Sequence, residues 1–92
     1  MHELSIAHDL VAFLEKLRRS EDAERILTVR LRINPYSCLD DENLNFVFSA
    51  LTREKPALNP ARIVITRSET PGIREVTVEN VEIEVNNDDK DD

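Results

Sequence analysis

The sequence predicts a two-layer α+β domain, with two helices on one face of a three-stranded sheet in the order α-β-α-β-β. Three observations predict it. Leu4 to Leu17 and Leu44 to Leu51 place apolar residues at the i, i+3, i+4, i+7 spacing of amphipathic helices. The stretch around Val29 alternates apolar with polar residues, the period of a half-buried strand, Ile63-Val64-Ile65 is a short apolar run, and Val76 to Val85 alternates with one change of parity. The chain has 92 residues, enough for one small domain that buries only roughly 60–65% of its unfolded surface. Each helix carries a single apolar stripe, so both can cover the same sheet face.

The first helix is marked by Leu4, Ala7, Leu10, Val11, Leu14 and Leu17, with Ile6 and Phe13 widening the stripe. Glu3 and Asp9 near its start and Arg18 and Arg19 near its end suit the helix dipole. Ser20 to Arg25 is polar and reads as a connection. Leu27, Val29, Leu31 and Ile33 then alternate with Thr28, Arg30 and Arg32 as the first strand. Asn34-Pro35 ends it, because proline cannot donate to a ladder. Ser37 to Asp41 turns into the second helix, with Asp40 or Asp41 as its N-cap. Leu44, Val47, Phe48 and Leu51 form that helix's stripe, Pro56 stops it, and Ala57 to Pro60 is a loop.

Ile63, Val64 and Ile65 mark the second strand. Thr70-Pro71-Gly72 supplies turn residues, which predicts that strands two and three form an antiparallel hairpin. The third strand opens with Val76 and Val78 and continues with Val81, Ile83 and Val85. Its apolar parity flips between Val78 and Val81. A regular strand would send half of these side chains into water, so a β-bulge is expected around Glu79-Asn80. The domain is expected to span residues 1–85. Residues 86–92 are acidic and nearly devoid of apolar groups, and are expected to be a disordered tail.

Composition excludes several functions. The net charge is −7, with 19 acidic against 12 basic residues, which opposes docking on nucleic acid or on an anionic membrane. The basic residues Arg18, Arg19, Arg25, Arg30 and Arg32 lack interleaved aromatics and read as solvated faces of a helix and a strand, with a docking patch for an acidic partner protein as the alternative. No leader is evident, and no apolar run approaches the roughly 20 residues that span a bilayer. The expectation is a soluble, unprocessed, cytoplasmic protein that retains Met1. Gly72 is the one glycine, so no phosphate-cradling loop can form. Glu82 and Glu84 lie on a strand's polar face with no sign of an enclosing pocket. No catalytic constellation is present, and the protein is not expected to be an enzyme. Cys38 is the one cysteine, which rules out an intrachain disulfide and a cysteine-based zinc site within these residues and fits a reducing compartment. Cys38 is read as a partly buried spectator, Tyr36 as a core-edge residue with a partner contact as the alternative, and His8 as a surface residue.

The chemistry lies in the opening tripeptide, Met1-His2-Glu3. A free α-amine, the amide nitrogen of His2 and its imidazole can close two chelate rings around one divalent ion. Such a tetragonal, nitrogen-rich donor set suits Ni(II) or Cu(II) over Mg(II) or Ca(II). Most histidines at such a position bind nothing. The tripeptide also opens a helix, where the backbone already carries partial positive charge. A cation held there needs carboxylates nearby to offset that charge.

Met1-His2-Glu3-Leu4-Ser5-Ile6-Ala7 resembles the opening of the HypA/HybF-type hydrogenase nickel-incorporation proteins. The likeness extends to the strand from Leu27 to Ile33, to Asn45-Phe46-Val47-Phe48-Ser49-Ala50-Leu51-Thr52, and to the ending from Arg74 through Val85. The resemblance implies a nickel chaperone. Its partners would be the precursor of a nickel enzyme, such as the hydrogenase large subunit, and a nickel-handling GTPase. It singles out Met1, His2 and Glu3 as the nickel site. Some relatives also use an aspartate after the first strand; Asp40 falls at that place, with Asp41 as the alternative. The family's zinc-binding lobe, two Cys-x-x-Cys pairs between strands two and three, has no counterpart here. Ser68 to Ile73 stands in its place, and no zinc is expected. Asn34-Pro35 replaces the family's Gly-Glu. The alternative function is an interaction module that keeps the fold and delivers no metal.

Overall fold

Ala23–Ile33 is the strand around which the other elements are arranged. The structure is a computed structural model that describes residues 2–69 and 76–85, and of His2 the backbone alone. Its elements are α1 (His2–Ser20), β1 (Ala23–Ile33), α2 (Asp41–Leu51), β2 (Arg62–Arg67) and β3 (Val76–Val85), the α-β-α-β-β order expected. The sheet order is β2-β1-β3.

Helix α1 buries Ala7, Leu10 and Leu14, while Ile6, Val11 and Leu17 are half-buried beside them. It ends where Asp22 takes a left-handed backbone conformation, with φ of 52°. Aspartate visits that region more readily than most residues. The Glu21 and Asp22 N–H groups donate to the carbonyls of Leu17 and Arg19 at 2.9 and 3.3 Å. The connection is therefore much shorter than the polar stretch to Arg25 suggested, and β1 begins at Ala23.

In α2, Asp40 is the N-cap, its carboxylate accepting from the Asn43 N–H at 3.0 Å. The helix ends at Leu51, short of Pro56. Thr52 closes it, donating both its N–H and its hydroxyl to the Phe48 carbonyl at 3.0 and 2.8 Å. Leu44 and Phe48 are buried against the residues of α1 and β1 in one continuous core. The segment after Thr52 runs in successive turns, and it buries Leu58 while Ala57 accepts from the Ile26 N–H at 2.9 Å.

The expected strand pairing is overturned. Strands β2 and β3 do not form a hairpin: β1 lies between them, parallel to β2 and antiparallel to β3. Two physical reasons account for this. First, α2 and its loops supply the long crossover that a parallel β1–β2 pair needs. Second, the outer edge of β2 is occupied at Ile63. The Asn45 side-chain amide donates to the Ile63 carbonyl and accepts from the Ile63 N–H, both at 2.9 Å. Ile33 pairs with Arg67 on one side and Val76 on the other, so the two strand ends stand about 10 Å apart, two strand spacings, beyond a tight turn. Thr70-Pro71-Gly72 and the acidic segment 86–92 lie outside the described residues.

The expected bulge in β3 is present. Arg30 pairs with Asn80 and Leu31 with Val78, which leaves Glu79 as the extra residue. Two further bulges fall on β1, at Glu24 and Leu27. The second corrects the reading of β1: Leu27 is 41% exposed, and Ile26 takes the core position instead. The helices cover the face that carries Val29, Leu31 and Ile33. The other face is open and carries cross-strand ion pairs from β1 to β3. Arg25 meets Glu84 at 2.7 Å, Arg30 meets Glu82 at 3.3 Å, and Arg32 meets Glu79.

Candidate metal centre

Packing α1 against α2 brings the starts of the two helices together. Glu3 lies in the first turn of α1 and Asp40 caps α2. They meet: the Asp40 N–H donates to a Glu3 carboxylate oxygen at 3.3 Å, across 37 positions of sequence. Leu39, buried immediately before the cap, anchors that approach.

The loop that delivers Asp40 is held at several points. The Asn34 side chain accepts from the Tyr36 N–H at 2.9 Å, and the Asn34 carbonyl accepts from the Ser37 N–H at 3.0 Å. The Ser37 hydroxyl accepts from the Leu39 N–H at 3.1 Å. From β2, the Arg67 guanidinium donates to the carbonyls of Ser37 and Pro35 at 2.9 and 3.4 Å. Arg67 and Asn45 thus position the site without resembling ligands. Sequence reading missed both, because neither role leaves a local pattern.

This loop corrects two expectations. Tyr36 is not at the core edge; it is 80% exposed, because the Asn34–Ser37 turn points its corner outward. Cys38 is exposed rather than partly buried, since its neighbour Leu39 takes the inward side. His8 is exposed on α1, as expected.

Electrostatically, two helix N-termini converge on one point, and each presents N–H groups without intrahelical carbonyl partners and partial positive charge. Glu3, Asp40, Asp41 and Glu42 offset it, all within the caps or first turns of the two helices. These carboxylates serve folding with or without a metal. Among the described residues, no three His, Cys, Asp or Glu side chains are grouped to hold an ion. Glu3 and Asp40 make a pair, and a centre here needs donors from the chain's opening. His2 begins α1. Met1 and the His2 side chain lie outside the described residues. The position still has a chemical logic. A first-turn N–H has no carbonyl partner four residues back, so the His2 amide can become a ligand without breaking a helix bond.

Comparison with known proteins places the chain. The family model described as hydrogenase/urease nickel incorporation, metallochaperone, hypA matches residues 1–87. The hydrogenase maturation factor HypA of Azotobacter chroococcum is 40% identical over 72 residues, covering 78% of this chain and 61% of that relative. The chain thus spans about three-fifths of that relative's length. The HypA of Prosthecochloris aestuarii is 31% identical over 84 residues, covering 91% of this chain and 74% of that relative. The solution structure of the Ni metallochaperone HypA from Helicobacter pylori aligns with a TM-score of 0.75 at 16% identity, covering 91% of this chain and 98% of that one; it shows the shared fold. The chain therefore belongs to the HypA family of hydrogenase and urease nickel-incorporation metallochaperones, which are not enzymes.

Proposed function

We propose that this domain carries one Ni(II) as cargo at the junction of the two helix starts. The Met1 amine and the His2 amide and imidazole supply the nitrogen donors. Glu3 or Asp40 completes the shell or balances its charge. The observation that supports this most is the Glu3–Asp40 contact, which joins two candidates chosen from sequence at distant positions. Domain 1–85 is the nickel-binding unit in this reading. Nickel passes to a nickel-enzyme precursor such as the hydrogenase large subunit, with a nickel-handling GTPase as the second partner, in the cytoplasm. No helix among the described residues is long and apolar enough to cross a membrane, which accords with that setting. No zinc is required, since Cys38 is the one cysteine in the sequence.

The test is a nickel titration of untagged protein beside two altered forms, His2→Ala and protein acetylated at the Met1 amine. The first removes the imidazole and the second the amine, so each opens a chelate ring, and both should weaken binding at least tenfold. Affinity should also fall on acidification, as amine and imidazole take up protons. Unchanged affinity in both forms removes the assignment.

A second reading, an interaction module that delivers no metal, draws on Tyr36 and Phe46, exposed at 80% and 72%. It expects a partner complex that survives both chelator and His2→Ala.

A further inference from the structure

We propose that the groove between α1 and the outer edge of β3 accepts an extended, basic segment of a partner protein, which adds to the sheet beside β3. Strand β3 is an edge: among the described residues it pairs with β1 alone. Beside that edge runs an open groove of about 530 Å³. Its floor is Phe13 and Leu17 from α1 with Val78, Val81 and Ile83 from β3. Phe13 is 43% exposed, the cost of a stripe wider than the sheet beneath it can cover.

The charge around the groove selects the occupant. Glu21 and Glu79, the latter paired with Arg32, line it, Asp9 lines its continuation past Phe13, and among the described residues no lysine or arginine lines either part. An added strand would alternate its side chains between two faces. One set drops onto Phe13 and Leu17. The other lies on the open face beside Glu82 and Glu84, whose side chains stay 55% and 42% exposed despite their arginine partners. The recognised pattern is thus apolar and basic residues in alternation, with backbone hydrogen bonds supplying affinity and the groove supplying specificity. A second copy of this chain fits less well. It would set the glutamates of one β3 against those of another, and like charges directly opposite destabilise a ladder. The net charge of −7 adds to that repulsion.

The inference is independent of the nickel reading, and its experiment uses metal-free protein in chelator. The probe is an acetylated nine-residue peptide alternating valine and lysine, compared with one alternating valine and glutamate. Binding is read by fluorescence anisotropy and by backbone amide NMR. The lysine peptide should shift amides along 76–85 and near Phe13, and slow hydrogen exchange on β3. Phe13→Ser, at a position outside the buried core, and Glu82→Lys, which leaves the floor intact, should each weaken it at least tenfold. His2→Ala should bind it as well as the unaltered protein does. The proposal is overturned by equal binding of the glutamate peptide, by shifts confined to other surfaces, by full affinity in Phe13→Ser, by no binding at all, or by β3 shifts that appear with protein concentration alone.

Discussion

Asp40 does two things that one substitution can separate. Its side chain caps α2 and its N–H meets Glu3. Asparagine caps as well as aspartate, whereas alanine costs about 1 kcal/mol. Asp40→Asn should therefore leave the denaturation midpoint where it is and lower nickel affinity several-fold, while Asp40→Ala lowers both. Equal nickel affinity in Asp40→Asn would confine the residue to capping. Asn45 is a purely structural counterpart. It holds both backbone groups of Ile63 and also donates to the Asp41 carbonyl at 2.9 Å. Asn45→Ala should cost about 1–3 kcal/mol in denaturant unfolding, since part-buried groups lose their partners. A shift within error would show that β2 needs no such tether. At this scale the sequence was uneven. Asp40 was legible as a cap, beside Asp41, because a short polar side chain ahead of an apolar helical stripe is a local signal. Asn45, Arg67, Tyr36 and Cys38 were misjudged or missed, because their surroundings are made by a fold and not by neighbours in sequence.

Among the elements, the helices and the β3 bulge were readable, and the hairpin was not. A parity flip is a local signal, and register leaves one way to keep both apolar sets inward. That logic makes a sharp prediction. Deleting Glu79 puts Val76, Val78, Val81 and Ile83 on one parity, so the variant should fold and unfold in a single cooperative transition. Deleting Thr77 instead turns Val76 outward and should destabilise measurably. Pairing order has no such signal, because the hold on Ile63 at the outer edge of β2 comes from a side chain of α2. The bulge at Leu27 was missed for a related reason: Ile26 and Leu27 are both apolar, and either could face in. Between elements, the Glu15 carboxylate of α1 meets the Lys55 ammonium after α2 at 2.8 Å. The hydrogen bond from Lys55 holds the Glu15 carboxyl below its usual value of 4.5, with partial burial working against it. A lowered carboxylate value stabilises the folded form above the unfolded value, and that contribution is lost as pH falls through the lower folded one. Lys55→Met should therefore flatten the acid limb of the stability curve below about pH 4.5, by no more than a few tenths of a kcal/mol for so exposed a pair. An identical acid limb would show the ion pair to be idle.

For the molecule as a whole, the two-layer architecture follows from two single-striped helices and a central strand with apolar residues on one face. Its outer face is not hydrophobic and does not need a second layer, because Arg25, Arg30 and Arg32 pair with Glu84, Glu82 and Glu79 across it. The functional consequence comes from where the helices start. Residues 2–3 and 40–42 share one point only because α1 and α2 pack with their N-termini together. Nickel is proposed to sit at that point. The most direct measurement is the backbone amide NMR spectrum of untagged protein with one equivalent of Ni(II). Changes should be confined to the opening turn of α1 and the residues around Leu39 to Asp41, with the His2 amide resonance lost. Changes centred on the acidic segment 86–92 or on the open sheet face, with the α1 opening undisturbed, would contradict it.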